Sequence, residues 1–158
     1  MDKKVEGSAA QKQPSLEEAA LLEVLRTADA LGRAAQRLIK RWKITATQYN
    51  VLRILRGAQA TGGATCSEIG ERMITAEPDI TRLLARLKKL GYIGQQRDKA
   101  DRRIVRTQIR PKGLELLSEM DAPMKELPKT LLSRLDHGEL HELMRMLQLA
   151  REGAPRNP

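Results

Sequence analysis

The sequence contains no phenylalanine, and Trp42, Tyr49 and Tyr92 are its only aromatic residues. A core must therefore be built from aliphatic side chains, chiefly Leu, Ala and Met, and this composition favours helices. No apolar run approaches the roughly 18 residues of a membrane span, and residues 1–14 lack the apolar segment of a signal peptide. The single cysteine, Cys66, excludes an intramolecular disulfide and fits a reducing compartment. We therefore expect a cytoplasmic protein without a membrane partner.

Basic residues are abundant, and they are concentrated in one part of the chain. The 158 residues, about the size of one domain, carry a formal net charge of +9. Residues 65–113 hold twelve basic and six acidic side chains, which accounts for two-thirds of that surplus. Such a surplus favours a phosphate-rich partner, and with membranes set aside the sequence predicts nucleic acid. No catalytic constellation accompanies the charge, so we expect no enzyme activity, no cofactor and no metal site.

Helix-start signals divide the chain into segments. Polar residues at 1–14 and 153–158 predict disordered tails around a folded body. We assign 15–44 to an N-terminal dimerisation helix, 45–111 to a central lobe and 112–152 to C-terminal dimerisation helices. Four capping boxes, each a Ser, Thr or Asp followed three residues later by Glu or Gln, predict helix starts. These boxes begin at Ser15, Thr45, Thr65 and Asp136.

The central lobe ends in a helix and a hairpin. Residues 78–90 predict a helix that has Pro78 in its first turn and stops at Gly91. The apolar period then changes to two, and residues 92–97 and 104–110 predict strands joined by a six-residue loop. A short helix, a tight turn, a second helix and a hairpin predict a mainly α-helical winged helix-turn-helix with a small β-hairpin wing. In the helix that follows, prolines predict a kink or a split; they are Pro123 and Pro128.

The second helix of this motif has an apolar stripe and a basic, hydrogen-bonding face. A helix in the major groove presents side chains near its N-terminus to base edges, and arginine can bond guanine in a bidentate manner. We assign Arg82 to base reading and Arg86 to a base or a phosphate; a merely solvated charged face is the alternative. The stripe consists of Ile80, Leu83, Leu84, Leu87 and Leu90. Further candidate contacts on this helix and the turn before it are Thr75, Asp79 and Thr81.

Helices at both ends of the body are predicted to pair with a second subunit. In the first helix, apolar residues recur in alternating steps of four and three from Leu21 to Trp42, the pattern of a coiled-coil seam. We expect a subunit interface there; packing within the helix's own domain is the alternative. The residues assigned to dimerisation are Leu21, Leu25, Ala28, Leu140, Leu143 and Leu147.

Two stretches of the chain together resemble one known family. Residues 97–103 read RDKADRR and are followed by a strand and by PKGLELL at 111–117, similar to the wing of the MarR (multiple antibiotic resistance regulator) family. Residues 78–93, PDITRLLARLKKLGYI, resemble that family's recognition helix and its exit into the wing. The resemblance is strongest over 65–117 and extends as a helix pattern over 15–151.

The resemblance implies a homodimer, joined through its terminal helices, that binds a pseudo-palindromic operator in double-stranded DNA and usually represses transcription. In the family's Asp-x-Arg wing pattern, Asp101 would orient Arg103, which would enter the minor groove. Arg102 would then contact phosphate. A small aromatic or phenolic effector, bound between the dimerisation helices and the DNA-binding lobe, is a further implied partner. The chain departs from the family at Ile109-Arg110-Pro111, where Leu-Thr and an acidic or small residue are usual.

Weaker signals have plain alternatives. Cys66, at a helix start, is either a redox sensor or a small packed side chain, and we favour packing. His137 and His141 have a spacing that suits zinc, with Glu142 beside them, but they lack the His-Glu-x-x-His order. We therefore expect surface histidines. Rival functions are a winged helix that contacts protein or RNA, and a small metallohydrolase.

Overall fold

A computed structural model describes residues 13–74, 79–98 and 101–153. Its helices are α1 (Leu16–Ile39), α2 (Ala46–Gly57), α3 (Cys66–Arg72), α4 (Ile80–Lys89), α5 (Pro111–Leu131) and α6 (His137–Glu152). Its strands are β1 (Ile93–Arg97) and β2 (Val105–Ile109), and short 3-10 turns at Lys40–Trp42 and Gln59–Thr61 follow α1 and α2. The fold is mainly helical with a two-stranded antiparallel hairpin, which confirms the predicted winged-helix class. Within these ranges, no helix is long and apolar enough to cross a membrane.

The predicted helix starts are confirmed by hydrogen bonds at the caps. The side chains of Thr45, Thr65 and Asp136 each accept a hydrogen bond from the N–H three residues later. In each case the Gln or Glu at that position bonds back to the N–H of the cap residue. The Ser15 hydroxyl oxygen accepts from the N–H three residues on at 3.2 Å. Gly91, at φ +80°, follows the end of α4, as the predicted stop requires.

The chain divides into two units, residues 1–34 and residues 35–158. Within the described residues, the first unit is mainly the N-terminal part of α1. The second unit contains a hydrophobic core to which α2, α3, α4, β1 and α5 contribute. Central core residues are Leu52, Leu55, Ile69, Leu84, Leu87, Ile93, Leu117 and Met120. The predicted segment boundaries at 44 and 111 stay predictions, and the predicted disordered tails lie outside the described residues apart from positions 13, 14 and 153.

The hairpin is attached to the helices through its second strand. β1 and β2 pair in antiparallel register, with Gln95 opposite Thr107. On the other side of β2, the Ala64 N–H donates to the Thr107 carbonyl at 2.9 Å, and the Thr107 N–H donates to the Ala64 carbonyl at 2.8 Å. The segment just before α3 therefore acts as a short third strand. The side chain of Thr107 is buried at this junction.

Helix α4 begins later than the sequence analysis predicts. Its first helical residue is Ile80 and its N-cap is Asp79, whose side chain accepts the cap hydrogen bond. Aspartate favours the N-cap because its carboxylate satisfies an N–H that has no partner within the helix. The predicted place of Pro78 in the first turn lies outside the described residues.

Helix α5 runs without a break through Pro123 and Pro128, so it does not split there, and the predicted kink stays a prediction. Each proline lacks an N–H and removes one hydrogen bond from the helix. The turns before the prolines are held on the core by the buried side chains of Leu117 and Met120. Tertiary packing therefore outweighs the local preference of proline for a helix end.

Gly63 allows the close backbone approach at the junction between the hairpin and the helices. Its φ is +98°, and a Cβ at this position would overlap the carbonyl oxygen of Thr107. We expect Gly63→Ala to lower the free energy of unfolding by roughly 1–3 kcal/mol, the cost of a strained backbone. The measurement is chemical denaturation followed by circular dichroism.

Gly57→Ala is the matched control, because Gly57 is the last residue of α2 and no other atom lies within 4 Å of the place that a Cβ would take. This substitution should leave the stability unchanged or raise it by up to about 1 kcal/mol. Equal effects of the two substitutions would contradict the assignment of Gly63 as a packing requirement.

Candidate nucleic-acid interface

Helix α4 presents a basic face to solvent. Its inner side rests on the buried Leu84 and Leu87, with Ile80 and Leu83 half-buried against the core. Leu90, placed in the apolar stripe by the sequence, is instead the exposed C-cap residue, because the helix ends before that side chain can reach the core. The predicted separation of faces otherwise holds. The exposed residues of the basic face are Thr81, Arg82, Ala85, Arg86, Lys88 and Lys89.

Asp79 has a structural task at the start of this helix. One of its carboxylate oxygens accepts a hydrogen bond from the Arg82 N–H at 2.8 Å. The carboxylate is thereby held beside the first turn of α4, while the Arg82 side chain is exposed on the helix surface. The same side chain that the sequence assigns to a DNA contact therefore also caps the helix.

A cavity of about 270 Å³ lies between the start of α2 and helix α4. Both α4 arginines assigned to DNA border this open space. Sequence reasoning missed Thr47, which lies here, because no sequence pattern links the start of α2 to a helix more than thirty residues later. The lining residues are Thr45, Thr47, Asp79, Arg82, Leu83 and Arg86.

The loop of the wing is held by hydrogen bonds to its own main chain. The Asp98 N–H donates to the Ile104 carbonyl at 2.9 Å, and the Ile104 N–H donates to the Asp101 carbonyl at 3.0 Å. A carboxylate oxygen of Asp101 accepts from the Arg103 N–H at 2.9 Å. Asp101 therefore fixes Arg103 through the main chain. The side chains of Arg102 and Arg103 are exposed.

Arg106, one of the twelve basic residues at positions 65–113, contacts carboxylates of the protein itself. Its Nε donates to an Asp98 carboxylate oxygen at 2.7 Å, and a terminal nitrogen lies 3.8 Å from the Glu68 carboxylate. The same terminal nitrogen donates to the Gly63 carbonyl at 3.4 Å. The hydrogen bond to Asp98 raises the pKa of Arg106 above its already high ordinary value. Sequence reasoning missed these contacts because Gly63 lies 43 residues away along the chain.

Glu68 connects the start of α3 to the wing. Its carboxylate accepts from the Thr65 N–H at 2.8 Å, which closes the capping box. This backbone hydrogen bond is the main cause of a lowered pKa for Glu68, and the nearby Arg106 charge lowers it further. The Glu68 carboxylate is therefore charged at neutral pH and attracts the Arg106 guanidinium.

A second set of contacts ties the outer face of the hairpin to the turn before α3. The Gln108 side-chain amide donates to the Gly62 carbonyl at 2.8 Å, and Gln96 donates to Gln108. These groups border an open cavity of about 320 Å³. Its lining residues are Thr61, Gly62, Gln96, Arg97, Asp98, Arg106 and Gln108.

The remaining candidates have different outcomes. Thr75 lies outside the described residues, so its contact stays a prediction. Cys66 is exposed as the first residue of α3, so its expected packing is wrong; the following turn buries Ile69 instead. His137 and His141 are exposed, as expected. In the part of the chain that the structure describes, no three His, Cys, Asp or Glu side chains are grouped to hold a metal.

Comparisons with known proteins agree on one family. The family model described as MarR family matches residues 44–105. The transcriptional regulator TtmR of Methylorubrum extorquens is 33% identical over 117 residues, which are 74% of this chain and 56% of TtmR. The chain thus spans little more than half the length of that relative.

Two solved structures extend the comparison to the fold. A MarR transcription factor from Planctomyces limnophilus is 33% identical, with a TM-score of 0.64 over 87% of this chain and 99% of that one. The Staphylococcus aureus MepR–DNA complex is 20% identical, with a TM-score of 0.75 over 86% of this chain and 97% of that one. The second likeness concerns the fold alone. Because the first combines 33% identity with a match over nearly its whole length, the chain belongs to the MarR family of DNA-binding transcriptional regulators.

Proposed function

We propose that this chain is a transcriptional repressor that binds a pseudo-palindromic operator as a homodimer and catalyses no reaction. The observation that carries the proposal is the exposed basic face of α4, in the same unit as the exposed arginines of the wing loop. Helices of this kind enter the major groove, where their N-terminal residues meet base edges. Phosphate contacts then position the protein, and base contacts provide the specificity.

On α4, Arg82 is the residue that we assign to base reading. It stands in the first turn of the helix, and its exposed guanidinium has the fork of donors that matches the acceptors of guanine. Arg86, one turn later, contacts a base or a phosphate. Thr75, Asp79 and Thr81 contribute shorter contacts.

In the wing, Arg103 enters the minor groove and Arg102 contacts phosphate. The narrow minor groove has a strongly negative potential that attracts an inserted arginine. The hydrogen bond from the Arg103 N–H to Asp101 supports this role, because it fixes the backbone from which the side chain projects. The exposure of both arginines leaves them available to DNA.

Exposed apolar residues on the terminal helices support the homodimer. On α1, Leu21 and Leu25 are 58% and 56% exposed, and Ala28 is exposed as well. Helix α6 contains no fully buried residue. Apolar helix faces of this extent normally meet a partner. The half-buried residues of α6 are Leu140, Leu143 and Leu147, and the exposed apolar residues of α6 include Met144, Met146 and Leu149.

A small aromatic or phenolic effector completes the proposal. A structure with the same fold, the organohalide-sensing regulator RdhR, was determined with bound 2,4-dichlorophenol at 17% identity to this chain. We expect a phenol of this type to release the chain from its operator in a gel-shift titration, and unchanged binding across such compounds would contradict this part. Because the partner is DNA, we place the protein in the cytoplasm.

Selection of bound sites from random duplex DNA tests the proposal directly. We expect purified full-length chain to enrich a palindrome whose half-sites lie about one helical turn apart. Sedimentation equilibrium of the same sample should give the mass of two chains. Selection without an enriched sequence would contradict the proposal and favour a winged helix that contacts protein or RNA.

Arg103→Ala tests the wing. We expect the operator affinity to fall by roughly 1–3 kcal/mol, the value of one good arginine contact. Fluorescence anisotropy with labelled operator at fixed salt measures the change. Arg134→Ala is the control, because it removes the same charge from the exposed segment between α5 and α6, where no DNA contact is proposed. If both variants bind like the parent chain, Arg103 does not contact DNA.

Asp79 permits a separation of helix capping from DNA contact. Asn caps a helix about as well as Asp, whereas Ala costs about 1 kcal/mol. We therefore expect Asp79→Ala to lower the free energy of unfolding and Asp79→Asn to preserve it. If capping is the main role, Asp79→Asn also retains operator binding. The amide keeps the cap, and the loss of the carboxylate removes a negative charge that would repel phosphate. A large loss of affinity in this variant, at unchanged stability, would instead identify the carboxylate as a base contact.

A further inference from the structure

Arg106 lies between helix α3 and the loop of the wing. Its guanidinium contacts the Asp98 carboxylate at the start of the loop. It also contacts the Gly63 carbonyl just before α3 and the Glu68 carboxylate in the first turn of α3. We call this set of four residues the wing brace. The wing brace joins the loop that contains the proposed minor-groove contact to the first turn of α3.

The position of the wing brace along the hairpin gives it a specific task. The backbone pairing between Ala64 and Thr107 holds the hairpin at its base. From Arg106 towards the loop, β2 pairs with β1 along one of its two edges. A two-stranded ribbon by itself is marginally stable in water. The Arg106 side chain lies one residue beyond the base, so it restrains the direction in which the outer part of the hairpin extends.

The surroundings of Arg106 argue against a direct contact between its guanidinium and a DNA phosphate. Its side chain is 29% exposed, and that of Asp98 is 21% exposed, so both are more enclosed than the arginines of the loop. Two carboxylates face the guanidinium, and together they offset its positive charge. A phosphate would have to displace partners that are already in place.

We propose that Arg106 is a positioning residue for DNA binding, which holds the wing so that Arg103 reaches the minor groove. This inference rests on the proposed function, since it explains how one of the proposed contacts is placed. Arg106 itself does not touch DNA. The arginine is suited to the task because its planar fork serves several acceptors at fixed angles, which a lysine cannot do.

The first experiment measures the direction of the wing without DNA. Spin labels are attached to the exposed Cys66 on α3 and to a cysteine in the variant Arg102→Cys, and the labelled protein is diluted with unlabelled chain. We expect a narrow distance distribution in the parent and a broader one in Arg106→Gln and in Asp98→Asn. Arg97→Gln, which removes the same charge from the exposed end of β1, should keep the narrow distribution. Unchanged distributions in both brace variants would overturn the proposal.

The second experiment is a mutant cycle on the selected operator. We expect Arg106→Gln to lose roughly 5- to 150-fold in affinity, the range of one lost arginine contact. In a background that lacks both proposed wing contacts, Arg102→Ala combined with Arg103→Ala, Arg106→Gln should change neither the affinity nor the salt dependence, because the contacts that it places are already missing. A phosphate contact by Arg106 would predict a further loss and a slope of log affinity against log salt that is smaller by about 0.9. That additive result would overturn the proposal.

The two experiments separate the failure of this inference from the failure of the proposed function. If the parent chain selects no duplex sequence, the proposed function fails, and the spin-label distances still report whether Arg106 holds the wing. If the parent binds its operator and the cycle is additive, the positioning role fails while the function stands. Thermal unfolding of each variant ensures that the compared proteins are folded.

Discussion

The exchange of main-chain hydrogen bonds between Ala64 and Thr107 is the constraint on which the DNA-binding unit depends. It places the start of α3, which follows Ala64 by two residues, against the second strand of the wing. Gly63 makes this approach possible, since any side chain there would meet the Thr107 carbonyl. Because the hairpin has two strands of its own, this third partner gives it a fixed base. The orientation of the wing relative to the helix-turn-helix therefore starts from two backbone hydrogen bonds.

Features encoded in short stretches of sequence were predictable. The capping boxes at Thr45 and Thr65, the stop at Gly91 and the change of period at the hairpin each depend on residues within one turn or one strand pair. The errors occur where distant packing decides. Helix α5 continues through its prolines because buried residues hold its first half on the core, and no local preference contains that information.

In the candidate site, too, features that depend on neighbouring residues were predictable and contacts between distant residues were not. The exposure of Arg82 and Arg86 followed from the apolar stripe on their helix, since a stripe that packs inward leaves the other face to solvent. The role of Arg106 did not follow, because a count of basic residues does not distinguish a cation that is available to phosphate from one already beside Asp98 and Glu68. The charge that the wing can offer to DNA is therefore smaller than the sequence suggests. The proposed dimer interface and the proposed effector site involve groups beyond a single chain, so one sequence specifies them least.

The short junction between the wing and helix α5 has a mechanical consequence. Strand β2 ends at Ile109 and α5 begins at Pro111, so Arg110 alone separates them, and the Arg110 carbonyl accepts hydrogen bonds from the N–H groups of Gly113 and Leu114. Because one residue leaves little freedom between the two elements, the direction of β2 is coupled to that of the first turns of α5. These turns are packed on the core through the buried Leu116 and Leu117. A substitution that moves them away from the core is therefore expected to change the direction of the wing as well.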